Sequence, residues 1–452
     1  MNGMTLTIKG LFGHFNYEIP LYGLESVDGI PMSDGVTILT GANGYGKSTI
    51  LRALEAISKG DIEFFANLKF EELALHTEEG KEELSIQKQD YWLIINHETE
   101  NQILVDEVKS YMSFMLQPSS NVNLEQSDLG SSSQVVFGDI SNSQITLKVN
   151  MESAFETMPL SVNTTTQKGV GLSERQKAKF ARIYDFMTKS VSKTFMIREQ
   201  RLIEKTSVGI RDVVKDIPHK LQTRFFEASN QYSEISTQLD SSFPYRLLQQ
   251  SADANLTQGE FDQLYRNMND KLRVLQENGF PEFLQQDIPV FQADKAGILR
   301  IFFDDFDAKY QKYEPLIAKL TLFRKILDRR FRTFKRVEVS RKSGLRVLDI
   351  PTDNNDEEVE ILPEKLSSGE QETLVLYYQL IFETAPGTML LIDEPEISLH
   401  IAWQRHFIDE LKEIVRLNDL RAVVATHSVS ILNGNWDIEV NLGELYKNGR
   451  AK

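Results

Sequence analysis

Residues 35–58 read GVTILTGANGYGKSTILRALEAIS. A short β-branched run, Val36 to Thr40, meets a glycine-rich turn, after which Ile50, Leu51, Leu54 and Ile57 recur at helical spacing. Gly41 to Thr49 fits the pattern G-x-x-x-x-G-K-[ST] and sits between a predicted strand and a predicted helix, as a phosphate-binding loop must. Backbone without Cβ atoms curls tightly enough to aim several N–H groups at one phosphate, and the following helix turns its positive end to the anion. Asn43, Gly44, Gly46, Lys47, Ser48 and Thr49 are therefore the expected nucleotide contacts, with Lys47 on the β- and γ-phosphates and the Ser48 hydroxyl on Mg²⁺. The alternative, a chance glycine-rich turn, does not explain the flanking strand and helix.

Three further stretches carry chemistry. MLLIDEPE, Met389 to Glu396, is an apolar strand that delivers two carboxylates to its C-terminal end. Solvated acids at a strand end would look the same in isolation. After a phosphate loop the pair reads as a Walker B element, with Asp393 holding Mg²⁺ and Glu394 polarising the attacking water. VVATHS places His427 just past another strand. In LSSGEQE, Leu366 to Glu372, Ser367 and Gly369 are able to aim a hydroxyl and a backbone N–H at a phosphate, with a helix N-terminus behind them. Ser367 followed by Glu370 is equally a helix-capping pattern, and the two readings are compatible.

Along the chain, TLTIKGLF and FNYEIPLYGL alternate like a β-hairpin. YWLIINHE, QVVFGDI and SQITLKVN are strand-like, and SERQKAKFARIYDFMTKSVS is helix-like. Gln117 to Gln134 is polar and reads as a loop or disordered. From Val213 to Phe334 the pattern is mostly helical. Leu299, Phe302, Phe306, Tyr310, Tyr313, Leu316, Leu320, Phe323, Leu327, Phe331 and Phe334 form an apolar seam, with Pro315 kinking it or opening a new helix. RVEVSRKSGLRVLDI reads as a hairpin around Lys-Ser-Gly, and PTDNNDEEVE as an acidic loop. The expected fold is α/β, with a split P-loop ATPase core, an antiparallel β lobe and an inserted helical hairpin. The divisions are 1–60 for the first part of the core, 61–205 for the β-rich lobe, 206–335 for the helical insertion and 336–452 for the rest of the core.

The bulk composition narrows the function classes. The chain has 452 residues, no cysteine and a net charge of −16. Disulfides, thiolate catalysis and zinc–thiolate sites are excluded. No apolar run is long enough to span a bilayer, and MNGMTLTIKGLFGHF lacks the basic flank and apolar core of a signal peptide. The expected location is the cytoplasm. An acidic surface argues against wholesale nucleic-acid binding. One basic cluster, Arg329, Arg330, Arg332, Lys335, Arg336, Arg341 and Lys342, reads as a solvated helix end or as a contact for nucleic acid or an acidic partner.

Taken in order, these motifs resemble the ATP-binding-cassette ATPases in their soluble branch, with SMC-, RecF- and OLD-like members. Closer in, IKGLFGHFNYEIPL, REQRLI, LSSGEQ, LIDEPEISLHIAWQ and ATHSVSILNGNWDIEVNL look like the stand-alone ATPases of anti-phage defence systems, of the AriA (PARIS) or PtuA (Septu) type. The resemblance implies that His427 is a switch histidine on the γ-phosphate. It implies that Gln200 is a Q-loop glutamine touching Mg²⁺ and the attacking water, with Gln102 and Gln117 as competitors. It implies that Ser367 and Gly369 contact the ATP of a second subunit, making a homodimer or a higher oligomer gated by ATP. A separate effector, such as a nuclease, and a phage-encoded trigger follow as expected partners. The sequence departs from the family at Ser368, which stands where the second residue of a glycine pair is usual, and it has no cysteine hook and no HNH-type histidine cluster among its seven histidines. A DNA-binding repair ATPase of the RecF or SMC type is the second reading. A transporter subunit is disfavoured, because P-loop and signature are too far apart in the chain.

Overall fold

The structure is a computed structural model. It describes residues 4–21, 26–27, 30–31, 35–77, 80–98, 101–108, 134–137, 145–148, 173–198, 202–206, 209–249, 256–280, 287–331, 335–350, 358–399 and 401–450. Residues 117–133 of the polar stretch, 351–357 of the acidic loop 351–360, and Gln200 lie outside them; Gln134, the last residue of the polar stretch, opens a short strand, and Glu360 of the acidic loop begins another.

The elements used below, in chain order, begin with β1 (Met4–Leu11), β2 (Phe15–Leu21), β3 (Val36–Thr40) and α1 (Lys47–Lys59). Then come β4 (Glu72–Thr77), β5 (Glu82–Gln89), β6 (Trp92–Ile95), β7 (Gln102–Leu104), α2 (Glu174–Ser190) and β8 (Thr194–Ile197). The helices α3 (Val213–Gln249), α4 (Gln258–Glu277), α5 (Ala296–Tyr310) and α6 (Glu314–Phe331) follow. The chain continues with β9 (Lys335–Ser340), β10 (Gly344–Asp349), α7 (Ser368–Phe382), β11 (Met389–Asp393), α8 (Ile401–Asn418), β12 (Arg421–Ala425) and β13 (Glu439–Asn441).

The chain forms two compact units. One comprises residues 1–19, 52–192 and 445–452, the other 20–51 and 193–444. The first is built on a six-stranded sheet in the order β2-β1-β4-β5-β6-β7. From β1 through β4, β5 and β6 to β7 the pairs are antiparallel, with Leu6 opposite Leu75 and Leu75 opposite Leu84. Buried residues alternate along β2 and at Leu6 and Ile8 of β1, whereas burial is continuous over 73–75 in β4 and 84–86 in β5.

The second unit has a five-stranded sheet in the order β8-β11-β12-β3-β13, and every pair is parallel. All five residues of β3 and four of five in β11 and β12 are buried. That is the near-continuous burial expected of parallel strands covered on both faces. Register aligns the strand ends: Asp393 pairs with Ala425, and Ala425 with Leu39. The phosphate loop, the acidic pair and the histidine loop therefore leave the sheet at one carboxyl edge, where open α/β sheets bind ligands.

The helices α3 to α6 extend the core of the same unit. Helix α3 runs through Pro218 and Pro244, and Pro315 lies in the first turn of α6, so it opens a new helix. The apolar seam needs one correction. Phe302 is 49% exposed, whereas Phe303 is 3% exposed and meets the Phe261 ring edge-on. Both residues lie in α5 and both fit steps of three or four between Leu299 and Phe306, so spacing does not choose between them and packing on Phe261 does. Arg246 of α3 grips Asp305 of α5 with two hydrogen bonds, of 2.5 and 2.8 Å.

β9 and β10 form the expected hairpin, closing at Ser340 opposite Gly344. Gly344 has φ +69°, and a Cβ there would lie 1.9 Å from the Pro218 carbonyl oxygen, so close approach and conformation both require glycine. Among the described residues no helix is long and apolar enough to cross a membrane.

Candidate nucleotide site

The loop after β3 turns through Gly44 and Gly46, whose φ values of 87° and 89° lie in the region that favours glycine. Asn43 and Gly44 are exposed; Gly46, Ser48 and Thr49 are half-buried. Lys47 opens α1 and is buried. Its Nζ donates to the Gly41 carbonyl at 2.8 Å and the Ala42 carbonyl at 3.4 Å, and lies 3.2 Å from His427 Nδ1. Burial pushes the Lys47 pKa down, against the pull of the Glu394, Asp393 and Glu396 carboxylates. It is a cation short of solvent, which an anion would stabilise.

β11 carries the acids. The Ser48 hydroxyl donates to Asp393 Oδ1 at 3.0 Å. Glu394 adopts the left-handed conformation, φ 46° and ψ 59°, which costs a non-glycine residue roughly 1–2 kcal/mol. Its N–H donates to the Ala425 carbonyl at 2.9 Å, which ties the strained residue to β12. His427 Nε2 lies 3.1 Å from Glu394 Oε1. Because the Lys47 ammonium only donates, His427 Nδ1 must accept from it; the ring proton then sits on Nε2 and is donated to Glu394. A continuous path therefore runs from Lys47 through His427 to Glu394.

Glu396 had no role in the sequence reading. Its Oε1 accepts from the His427 backbone N–H at 2.7 Å, and its Oε2 is buried with no hydrogen-bond partner among the described residues. Nothing local signals this, since the two residues meet only through the pairing of β11 with β12.

Ser367 and Gly369 belong to a second cluster, at the start of α7. Glu370 Oε2 accepts from both the N–H (2.9 Å) and the hydroxyl (2.8 Å) of Ser367, and Glu370 Oε1 accepts from Lys335 Nζ at 2.6 Å. A Cβ on Gly369 would meet nothing within 4 Å among the described residues. Gln200 lies outside the described residues; its competitor Gln102 is in β7 of the other unit, and Gln117 is also outside.

The basic cluster is largely spoken for. Arg329 and Arg330 bind Glu410, Lys335 binds Glu370, and Arg336 binds Glu338 and Glu358. Four of its seven cations are thus paired within the chain, and Arg332 lies outside the described residues. This pairing favours the helix-end reading over a free anion-binding patch.

No set of three or more His, Cys, Asp or Glu side chains able to cage a metal occurs among the described residues. Ser48 and Asp393 offer one hydroxyl and one carboxylate. Mg²⁺ is commonly bound by such a sparse oxygen set together with substrate phosphates, so the residues present fit it.

A family model described as an AAA ATPase domain matches residues 23–432. No curated protein matches the sequence. Among solved structures, the chain is similar to the Smc head domain of Pyrococcus furiosus, which carries an extended coiled coil and is bound to the C-terminal domain of ScpA. The similarity covers 95% of this chain and 90% of that one, at 13% identity and a TM-score of 0.32. An SmcHead bound to the C-winged helix domain of ScpA is similar over the same shares, at 13% identity and a TM-score of 0.35.

Proposed function

Because the chain belongs to the AAA ATPase domain family, we propose that it binds and hydrolyses ATP, and that ATP joins two copies of it. The observation that carries this reading is the path from Lys47 through His427 to Glu394, beside the Ser48–Asp393 pair. Lys47 holds the β- and γ-phosphates, and Asn43, Gly44, Gly46 and Thr49 line the loop around them. Mg²⁺, held by Ser48 and Asp393, supplies charge neutralisation on the phosphates when bound. Glu394 takes a proton from water as the water oxygen bonds to the γ-phosphorus. The bond from that phosphorus to the bridging oxygen breaks, and ADP departs with the bridging oxygen. Gln200 is proposed to orient the same water. His427 reports the γ-phosphate, because a phosphate near Lys47 competes for the ammonium that now holds His427 Nδ1.

Ser367 and Gly369 are proposed to reach the nucleotide of the second copy. Among the described residues nothing within 4 Å would meet a side chain at Gly369, which supports approach to its backbone from outside. Larger oligomers would need a further interface. The motif resemblance supports a biological role as the sensor or scaffold ATPase of a cytoplasmic anti-phage defence system. In that role the closed state holds, and the opened state releases, a separate effector such as a nuclease, in response to a phage-encoded trigger.

The test uses Glu394→Gln, expected to bind ATP and hydrolyse it poorly. Purified in ATP and Mg²⁺ with its neighbouring genes co-expressed, it should sediment as a dimer or larger and bring a stoichiometric protein, both lost on adding Lys47→Ala. A monomer in saturating ATP would overturn the two-copy reading. Co-purifying DNA without a protein partner would overturn the effector reading and put DNA repair first.

A further inference from the structure

In this structure the Ser367 hydroxyl has its one proton committed to Glu370 Oε2. A nucleotide phosphate only accepts hydrogen bonds, so Ser367 can bind one only by rotating that O–H away from Glu370. Glu370 then remains beside the phosphate as an anion. Like charges brought together in an interface cost several kcal/mol unless something neutralises them. Lys335 stands in the right place to do so. It opens β9, directly after the helical insertion, and its ammonium meets the other carboxylate oxygen of Glu370 at 2.6 Å. The pair is mostly withdrawn from solvent, with side chains 21% and 16% exposed, so screening by water is limited.

We propose that Lys335 is a positioning residue for capture of the second copy's nucleotide, neutralising Glu370 and holding it by Oε1 while the Ser367 hydroxyl turns to the phosphate. Glu370 keeps the Ser367 backbone N–H throughout, so the start of α7 stays capped in both arrangements. Lys335 touches no nucleotide; it acts through Glu370. The inference rests on the two-copy reading above.

The experiment measures ATP-dependent dimerisation of full-length chains by sedimentation in the Glu394→Gln background. Adding Lys335→Met should weaken the dimer by at least about tenfold. Binding of a fluorescent ATP analogue to the monomer should stay within about twofold, because Lys335 is not in the phosphate loop. Lys335→Arg should restore the dimer. So should Glu370→Gln added to Lys335→Met, since it removes the uncompensated charge; a purely structural loss would not be rescued this way. Unfolding curves check that each variant folds. A dimer unaffected by Lys335→Met, or a double variant no better than Lys335→Met, overturns the inference alone. No ATP-dependent dimer in Glu394→Gln itself overturns it together with the two-copy reading.

Discussion

Glu370 illustrates how much one side chain in this molecule depends on its neighbours. Burial pushes its carboxyl up, but hydrogen bonds from Lys335 and Ser367 outweigh that and hold it below its ordinary value of 4.5. A depressed carboxylate stabilises the fold fully above the unfolded value and loses that contribution as pH falls through the folded one. Glu370→Gln should therefore be less stable than the parent chain near about pH 7, with the gap narrowing as pH falls through the depressed value of the folded carboxyl. Urea unfolding at several pH values checks this, and a gap that persists in acid would show that the carboxylate charge is irrelevant. The capping relation of Ser367 to Glu370 was legible from their spacing. The Lys335 partner was not, because it joins residues from separate elements. The same holds for Glu396 and His427.

At the scale of elements, α6, α7 and α8 are pinned by one buried charge cluster. Arg330 and the Tyr377 hydroxyl both bind Glu410, and the Arg330 guanidinium lies over the Tyr377 and Trp403 rings at 4.7 and 5.5 Å. The Arg330 and Glu410 side chains are 1% and 3% exposed. Removing one member leaves the other charge buried without its counter-ion, so Glu410→Ala should cost about 3–5 kcal/mol. Replacing both, as in Arg330→Met with Glu410→Leu, should cost much less. Unfolding midpoints of the two variants decide it; equal losses would mean that packing, not charge, carries the cost. In the sequence Arg330 was one of a run of cations, with nothing to mark it as the buried one. Its place on α6 beside Leu327 and Phe331, both buried, is what puts it inside.

For the whole molecule the net charge of −16 sets how copies meet. Two such chains repel at long range, and salt screens that repulsion with a length of about 10 Å at 0.1 M. If ATP joins two copies, the Glu394→Gln dimer should tighten as ionic strength rises from about 0.05 M to about 0.3 M. Sedimentation at fixed ATP and Mg²⁺ measures this. Weakening with salt would instead show that the interface is dominated by complementary charge.

The sequence by itself determined the α/β class, the strand–loop–helix around Lys47, the acidic end of β11, the hairpin of β9 and β10 and the helical run from Val213. Each depends on short-range periodicity or on turn chemistry within a few residues. Tertiary structure alone decided that β8, β11, β12, β3 and β13 lie side by side in that order, because parallel pairing joins strands far apart in the chain. It alone decided that the seam passes through Phe303 and not Phe302, because both fit the spacing between Leu299 and Phe306 and only packing against Phe261 of α4 chooses between them. And it alone brought Lys47, His427 and Glu394 into one hydrogen-bonded path, since the register of β3, β12 and β11 sets their three loops side by side.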